Sequence, residues 1–348
     1  MTERSRRYTV VGAGAIGGTL AFYLAEAGHP VTVVDADKSH VAAIRTRGLR
    51  LIRSGRPVGS AHVTAITPDE VAGSMGRVLL AVKAQATEVA VSSVSTHLAS
   101  DGFIVSMQNG LDNERLIAAR VGASRTVGAF VDFFADVIAP GVVRVGGDGA
   151  MVVGELDGRS SQRIDELVAD LQACGPVLVT SNVIGYLWSK LSLSAMLVAT
   201  ALADAPMADL IDRYRPLMHR LAGEVLAVAH AQGVVVEPFD AFNPIAYSVG
   251  ATGEESDLAT DALVAWLRTK EKTRSGIWRD IAVRRRPTEV PAHYKPVVDQ
   301  AFVCHVEVPL LGALLERLAR VESGVQQLGE GNLDDLSRCL TPQRARHS

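Results

Sequence analysis

The sequence predicts two domains of different class: an N-terminal α/β domain on a doubly wound, mostly parallel sheet, followed by an all-α domain. Three observations carry this. The chain has 348 residues, and domains commonly run to roughly 100–200 residues, so two are expected. From residue 8 to about 180 short Val-rich runs alternate with longer helix-period segments, the rhythm of a parallel sheet covered on both faces. After residue 183 the texture changes to long Ala- and Leu-rich segments with apolar residues three and four apart and no strand pattern. The expected divisions are 1–182 for the α/β domain, 183–328 for the helical domain and a flexible polar tail at 329–348.

In order along the chain, strands are expected at 8–11, 31–35, 78–82, 103–107 and 125–130. All are Val-rich rather than alternating, as strands buried on both faces should be. A helix over 15–27 follows the first strand. Runs at 142–145 and 151–153 flank the turn-prone Gly146, Gly147, Asp148 and Gly149, so a hairpin at the sheet edge is expected. A helix at 161–174 and a strand at 177–180 close this half. In the helical half, Gly250 to Glu255 reads as a polar break and Arg284 to Pro287 as a charged turn. No internal repeat is evident.

Hydrophobic residues make up 48% and charged residues 21%, which excludes a disordered or collagen-like chain. Thirty-five basic against 38 acidic residues leave a net charge of -3, so no nucleic-acid or membrane partner is expected. The longest apolar run, 195–203, stops at Asp204 and is shorter than the ~20 residues that cross a bilayer. Cys174, Cys304 and Cys339 stand far apart with no CxxC pair and no histidines at ligand spacing. This predicts no metal and a reducing, cytoplasmic location. The basic start, Met1 to Arg7, runs directly into a strand and carries no cleavage-site pattern.

Gly12, Gly14 and Gly17 form GxGxxG immediately after the first strand and before a helix. The first glycine permits a tight turn, the second lets backbone approach a pyrophosphate, and the third lets helix pack on strand. The unpaired N–H groups of the following helix start, at Ala15, Ile16 and Gly17, would face the phosphates. The motif alone could be a glycine-rich turn; its placement makes it a Rossmann dinucleotide site. Strand two ends on Asp35, 23 positions beyond Gly12, where a carboxylate accepts hydrogen bonds from ribose hydroxyls and repels a 2'-phosphate. NAD is therefore preferred, with NADP possible because Lys38 is near; the plain alternative makes Asp35 a helix cap or a solvent-facing acid.

Four later segments stand out together: VKAQAT (82–87), SMQNGLDNE (106–114), WSKLSLSA (188–195) and RPTE (286–289). With the glycine motif they resemble the ketopantoate reductase family, in its order and approximate spacing, from about residue 8 to 320. The resemblance implies a Rossmann domain followed by a helical domain and a nicotinamide dinucleotide in the cleft between them. It also implies, typically, reduction of 2-dehydropantoate with NADPH. It makes Lys190, the lysine of WxKL, the catalytic acid, and Glu289 the carboxylate that assists it. Asn109 of the QNG turn would meet cofactor and substrate, and Lys83 of VKA would lie near the nicotinamide. A cationic donor suits the chemistry, since hydride addition to a ketone leaves an alkoxide that needs charge stabilisation and a proton. Taken singly, Lys190 could be a snorkelling surface lysine, Glu289 a helix-start acid, Asn109 part of a tight turn and Lys83 a strand-end charge.

The departures fall in the substrate cradle. The family's asparagines four and eight residues after the lysine are Ser194 and Val198 here, and the serine expected after Ser275 is Gly276. Gln85 stands one place early, leaving Ala86, and the stretch 280–289 is one residue longer. The residue after strand two is acidic, where most members have a basic one. With Asn109, Ser194, Val198, Ser275 and Gly276 around the substrate, the pocket reads as roomier and less polar than one built for ketopantoate. The Arg284 to Arg286 run could meet an acidic ligand or be a solvated turn. The expected function is an NAD(P)-dependent oxidoreductase acting on a ketone or secondary alcohol other than ketopantoate, as a homodimer. The alternatives are an authentic 2-dehydropantoate 2-reductase, a non-catalytic dinucleotide-binding regulator, and an imine-reducing opine-type dehydrogenase, for which His293 and His305 match no motif.

Overall fold

The structure, a computed structural model, describes residues 6–146 and 149–340. It divides into two compact units, the first running to Val183 and the second beginning at Ile184.

The first unit follows the order β1 (Tyr8–Val11), α1 (Ala15–Glu26), β2 (Val31–Val34), α2 (Lys38–Arg47), β3 (Leu49–Arg53), β4 (Arg56–Ala61) and β5 (Thr64–Ile66). It continues through β6 (Met75–Leu80), α3 (Thr87–Ser95), β7 (Leu98–Ser106), α4 (Asn113–Val121), β8 (Thr126–Val131), β9 (Ala135–Ala139), β10 (Val142–Val145), β11 (Met151–Glu155), α5 (Gln162–Leu171) and β12 (Val177–Val179). Eight strands form the main sheet in the order β12-β11-β8-β7-β6-β1-β2-β5. All its pairings are parallel except β8 with β11. Alternate residues of each strand go to opposite cores: Val10, Leu79 and Val105 pack on one face with Leu20 and Leu171, and Val11, Leu80 and Ile104 on the other with Val91, Val94 and Ile117. This is why the strands read as continuous apolar runs. The chain leaves β1 toward β2 on one side and toward β6 on the other, so the strand order reverses beside the β1 carboxyl end. Open α/β sheets hold ligands at such a switch point.

A second sheet, in the order β4-β3-β10-β9, was not legible in the composition. It corrects the expected hairpin: β10 pairs in parallel with β3 and antiparallel with β9, while β11 runs antiparallel to β8 in the main sheet. The chain crosses to the second sheet after Val131 and returns at Met151, so the two runs belong to different sheets. Gly147 and Asp148 of the expected turn lie outside the described residues. Helix α1 lies between the sheets, which accounts for its apolar sequence AIGGTLAFYLAE. At Gly18 an added Cβ would stand 2.8 Å from Val143, so helix and second sheet meet without a side chain between them.

The second unit is helical: α6 (Val183–Thr200), α7 (Met207–Arg213), α8 (Arg215–Ala231), α9 (Gly253–Arg268), α10 (Gly276–Ala282), α11 (Val290–Val303), α12 (Pro309–Glu322) and α13 (Gly331–Arg338). Among its described residues Phe239 and Phe242 form an isolated antiparallel β-bridge. The expected break at Gly250 to Glu255 ends earlier than foreseen, because Thr252 and Glu255 form a reciprocal cap that starts α9 at Gly253. The tail also needs correcting: α13 buries Asn332, Leu333 and Leu336, since an amphipathic turn there covers the core. Residues 341–348 lie outside the described set. Helix α6, with 18 residues, reaches into the apolar run at 195–203 and is long and apolar enough to cross a membrane by length and composition alone. Seventy-two per cent of it is buried within the protein, as befits a core helix.

Candidate active site

The glycine loop opens at the end of β1. Gly12 has φ +92°, and a Cβ there would come within 2.9 Å of the Ala81 carbonyl and the Val82 nitrogen. At Gly17 a Cβ would fall 1.9 Å from the Gly12 carbonyl oxygen, so only glycine lets α1 leave the strand this tightly. Gly14 differs, with nothing within 4 Å of its would-be Cβ. That open space, together with the first N–H groups of α1 and no acidic residue in its first turn, fits a diphosphate. Ala15, Ile16 and Gly17 occupy that first turn.

Asp35 follows β2, and both its oxygens hold backbone: Oδ2 accepts from Ala13 N at 2.7 Å and Oδ1 from Asp37 N at 2.8 Å. It does not cap α2. That role falls to Asp37, which accepts from Ser39 N (2.9 Å) and His40 N (3.1 Å). The Ser39 hydroxyl and these N–H groups hold the Asp37 carboxyl below the usual range. Buried His40 contacts the Ala13 carbonyl through Nε2 at 2.9 Å and receives the Gly141 N–H on Nδ1 at 3.2 Å.

The turns after β6 and β7 complete this edge. Lys83 is exposed at the start of a short turn over 84–86, with Gln85 also exposed. Asn109 is exposed and followed by Gly110 at φ +105°. A buried chain of side chains ties the two turns. Gln108 Nε2 donates to the Val82 carbonyl and to Thr87 Oγ1, both at 2.8 Å. Thr87 donates to Asn113 Oδ1 at 2.9 Å, and Asn113 Nδ2 to the Asn109 carbonyl at 2.9 Å. Sequence reasoning missed the roles of Thr87, Gln108 and Asn113, which lie in different elements and meet only in the fold.

Glu114, in the first turn of α4, is 3% exposed, and neither carboxylate oxygen has a partner. Burial pushes its pKa up to about 7, opposed by the nearby Ser106 hydroxyl. The folded chain thus keeps this proton up to about pH 7, whereas the unfolded chain releases it near 4.5. Its contribution is present below the unfolded value and is lost as pH rises through the folded one. Glu114→Gln is expected to gain stability over the wild type on going from pH 5 to pH 8, by about 3 kcal/mol at most. Urea unfolding at both pH values checks this; an unchanged difference would refute a buried neutral carboxyl.

In the second unit Lys190 is half-buried on α6 between fully buried Ser189 and Leu191, with Trp188 also in the core. The Ser189 hydroxyl donates to the Gly185 carbonyl and accepts from Glu237 N, fixing the helix start. Tyr294 of α11 donates from its buried hydroxyl to the Leu191 carbonyl at 2.7 Å, so the helix bearing Lys190 is tied to the helix that begins just after Glu289. Burial raises the Tyr294 pKa, with the Ser194 hydroxyl beside it as an opposing influence. Glu289 stands at the N-cap position of α11, yet its carboxyl does not cap that helix.

The other expected substrate residues are placed differently. Ser275 caps α10 by accepting from Trp278 N at 3.1 Å. Gly276 is exposed, and a Cβ there meets only Lys272 Nζ at 3.7 Å, so the family's serine would fit sterically. Val198 is 0% exposed, a core position where an asparagine would need a buried partner. Arg284 and Arg286 share Asp280, and the run is an exposed turn.

A Rossmann unit followed in sequence by a helical unit, together with the matches below, defines an oxidoreductase that works on CH–OH or C=O carbon with a nicotinamide. The ketopantoate reductase PanE/ApbA family model matches residues 8–158, and the ketopantoate reductase PanE/ApbA C-terminal model matches 182–322. The chain belongs to the ketopantoate reductase family. It is 31% identical to the 2-dehydropantoate 2-reductase of Mesorhizobium japonicum over 255 residues, 66% of this chain and 77% of that one. Against that of Halobacterium salinarum it is 28% identical over 324 residues, 90% and 99% of the two chains. The crystal structure of a PanE/ApbA family ketopantoate reductase from Ralstonia eutropha JMP134 superposes with a TM-score of 0.76 at 25% identity, covering 92% of this chain and all of that one. D-mandelate dehydrogenase, solved with NADH and anilino(oxo)acetate, shares the fold at a TM-score of 0.78 and 18% identity, covering 92% and 99%.

Proposed function

We propose that this chain is an NAD-preferring reductase or dehydrogenase of a ketone or secondary alcohol bulkier or more apolar than 2-dehydropantoate or pantoate. The observation that carries the cofactor choice is Asp35, held at the edge of the sheet by two backbone N–H groups, with Asp37 two residues on. Two carboxylates there favour ribose hydroxyls over a phosphate. The bound nicotinamide would supply or accept the hydride. Gly12, Gly14, Ala15, Ile16, Gly17 and Asp35 would hold the dinucleotide, with Lys83 and Asn109 at the neighbouring turns. Lys190 would stabilise the forming alkoxide and give it a proton, and Glu289 would keep that ammonium charged and in place. Ser194 and Gly276 in place of larger amide and hydroxyl groups support the less polar substrate. That the relatives above are named 2-dehydropantoate 2-reductases favours the second reading, an authentic ketopantoate reductase. A homodimer through the helical unit is part of the proposal, supported by Phe302 and Val303 on α11, 84% and 66% exposed. All three cysteines are free thiols, which suits the cytoplasm.

Fluorescence titration of NADH and NADPH tests the cofactor reading. The wild type is expected to bind NADH roughly tenfold or more tighter, and Asp35→Ala and Asp35→Arg to narrow or reverse that gap. A wild-type preference for NADPH would overturn it.

A further inference from the structure

We propose that His40 is a positioning residue of the dinucleotide loop, acting on the Ala13 peptide; this rests on the reading that residues 12–17 hold a dinucleotide. Ala13 lies between Gly12, at φ +92°, and Gly14, so no neighbouring side chain restrains the backbone that must present N–H groups to a diphosphate. Both polar groups of Ala13 are instead held from the segment after β2. Its N–H goes to Asp35 Oδ2 at 2.7 Å, and its carbonyl lies 2.9 Å from His40 Nε2.

The histidine has one tautomer that fits. Gly141 N–H can only donate, and it points at Nδ1 at 3.2 Å, so Nδ1 is the bare nitrogen and Nε2 carries the proton donated to Ala13. The ring is 4% exposed, and its own backbone N–H is fixed by Asp37 at 3.1 Å. Gly141 has φ +76° in the turn between β9 and β10, and its carbonyl accepts Arg50 N of β3 at 2.9 Å. One buried imidazole thus joins the glycine loop to the second sheet, a sheet that otherwise supplies none of the proposed site. An apolar residue of the same size would fill the space and hold neither backbone group.

The test separates a positioning role from simple packing through two amide variants. His40→Gln keeps a donor where Nε2 stands and so still reaches the Ala13 carbonyl. His40→Asn places an oxygen near Nδ1 and reaches the Gly141 N–H alone. NADH dissociation constants are measured by fluorescence on the full chain, with thermal melting alongside. Losing one hydrogen bond to the loop should weaken NADH binding roughly tenfold in His40→Ala and His40→Asn, while His40→Gln stays within about threefold of the wild type. Turnover at saturating NADH should be unchanged in His40→Gln and His40→Asn, so that KM for NADH moves and kcat does not. Equal affinities in all four proteins, or rescue by asparagine as good as by glutamine, would overturn the proposal. If the wild type binds neither NADH nor NADPH, the dinucleotide reading falls, and the role of His40 with it. If alanine does not fold, the glutamine and asparagine pair still decides.

Discussion

Lys190→Ala is expected to lower kcat by about 10²–10⁴-fold for any accepted substrate while leaving the NADH dissociation constant nearly unchanged. Reduction of a carbonyl puts negative charge on oxygen, and a cationic donor there both stabilises that charge and delivers the proton. Lys190 is suited to this by its place on α6: Trp188, Ser189 and Leu191 are buried around it, and the Tyr294 hydroxyl holds the Leu191 carbonyl one residue away. In the proposed site the cofactor would be held in the other unit by the glycine loop and Asp35, so removal of the ammonium should not disturb it. Lys190→Arg should also fail, because a guanidinium releases its proton poorly. Steady-state kinetics with NADH titrations on the same preparations separate the outcomes. Near-wild-type turnover in the alanine variant would end the proposed mechanism, and a parallel loss of NADH binding would make the lysine a structural group.

The features legible in the sequence were those with a local signature. GxGxxG between a Val-rich run and a helix marks a loop whose steric demands are contained in its own glycines, as Gly12 and Gly17 show. The helical half announced itself by periodicity. What escaped depends on distant pairing. β3 and β4 form a hairpin across Ser54 and Gly55, both at positive φ, but their partner β10 lies some ninety positions on, and nothing local joins them. The same distance hid His40, whose ring meets Gly141, and the Gln108–Thr87–Asn113 chain, whose members come from different elements. The spacing marks Asp35 as a ribose acceptor, and the structure adds that it anchors Ala13 and Asp37, a contact set no spacing rule displays. Nothing in the SMQNGLDNE segment shows that Glu114 is buried, because its surroundings are made by Ser106 and the packing of α4 rather than by its neighbours in sequence.

Discrimination among ketones should be as large an effect as loss of the lysine. A site that pairs a substrate's polar groups rejects analogues lacking them by up to ~10⁴–10⁵-fold, whereas a site without those groups disfavours the polar substrate by only about 10²-fold. Here Ser194 stands beside Tyr294 and Gly276 carries no side chain, so these two positions offer a substrate little, while Val198, 0% exposed, is a core position that meets none. Under the proposed function, poor recognition of 2-dehydropantoate is expected, together with tolerance of larger apolar groups on the carbonyl. The most direct measurement is the steady-state oxidation of NADH, followed by absorbance of the reduced ring, with 2-dehydropantoate set against a series of ketones bearing bulkier apolar substituents. At least one of the latter should be reduced with kcat/KM some 10²-fold or more above that for 2-dehydropantoate. Turnover of 2-dehydropantoate with kcat/KM in the range of about 10⁴–10⁸ M⁻¹s⁻¹, and of no bulkier ketone, would contradict the account.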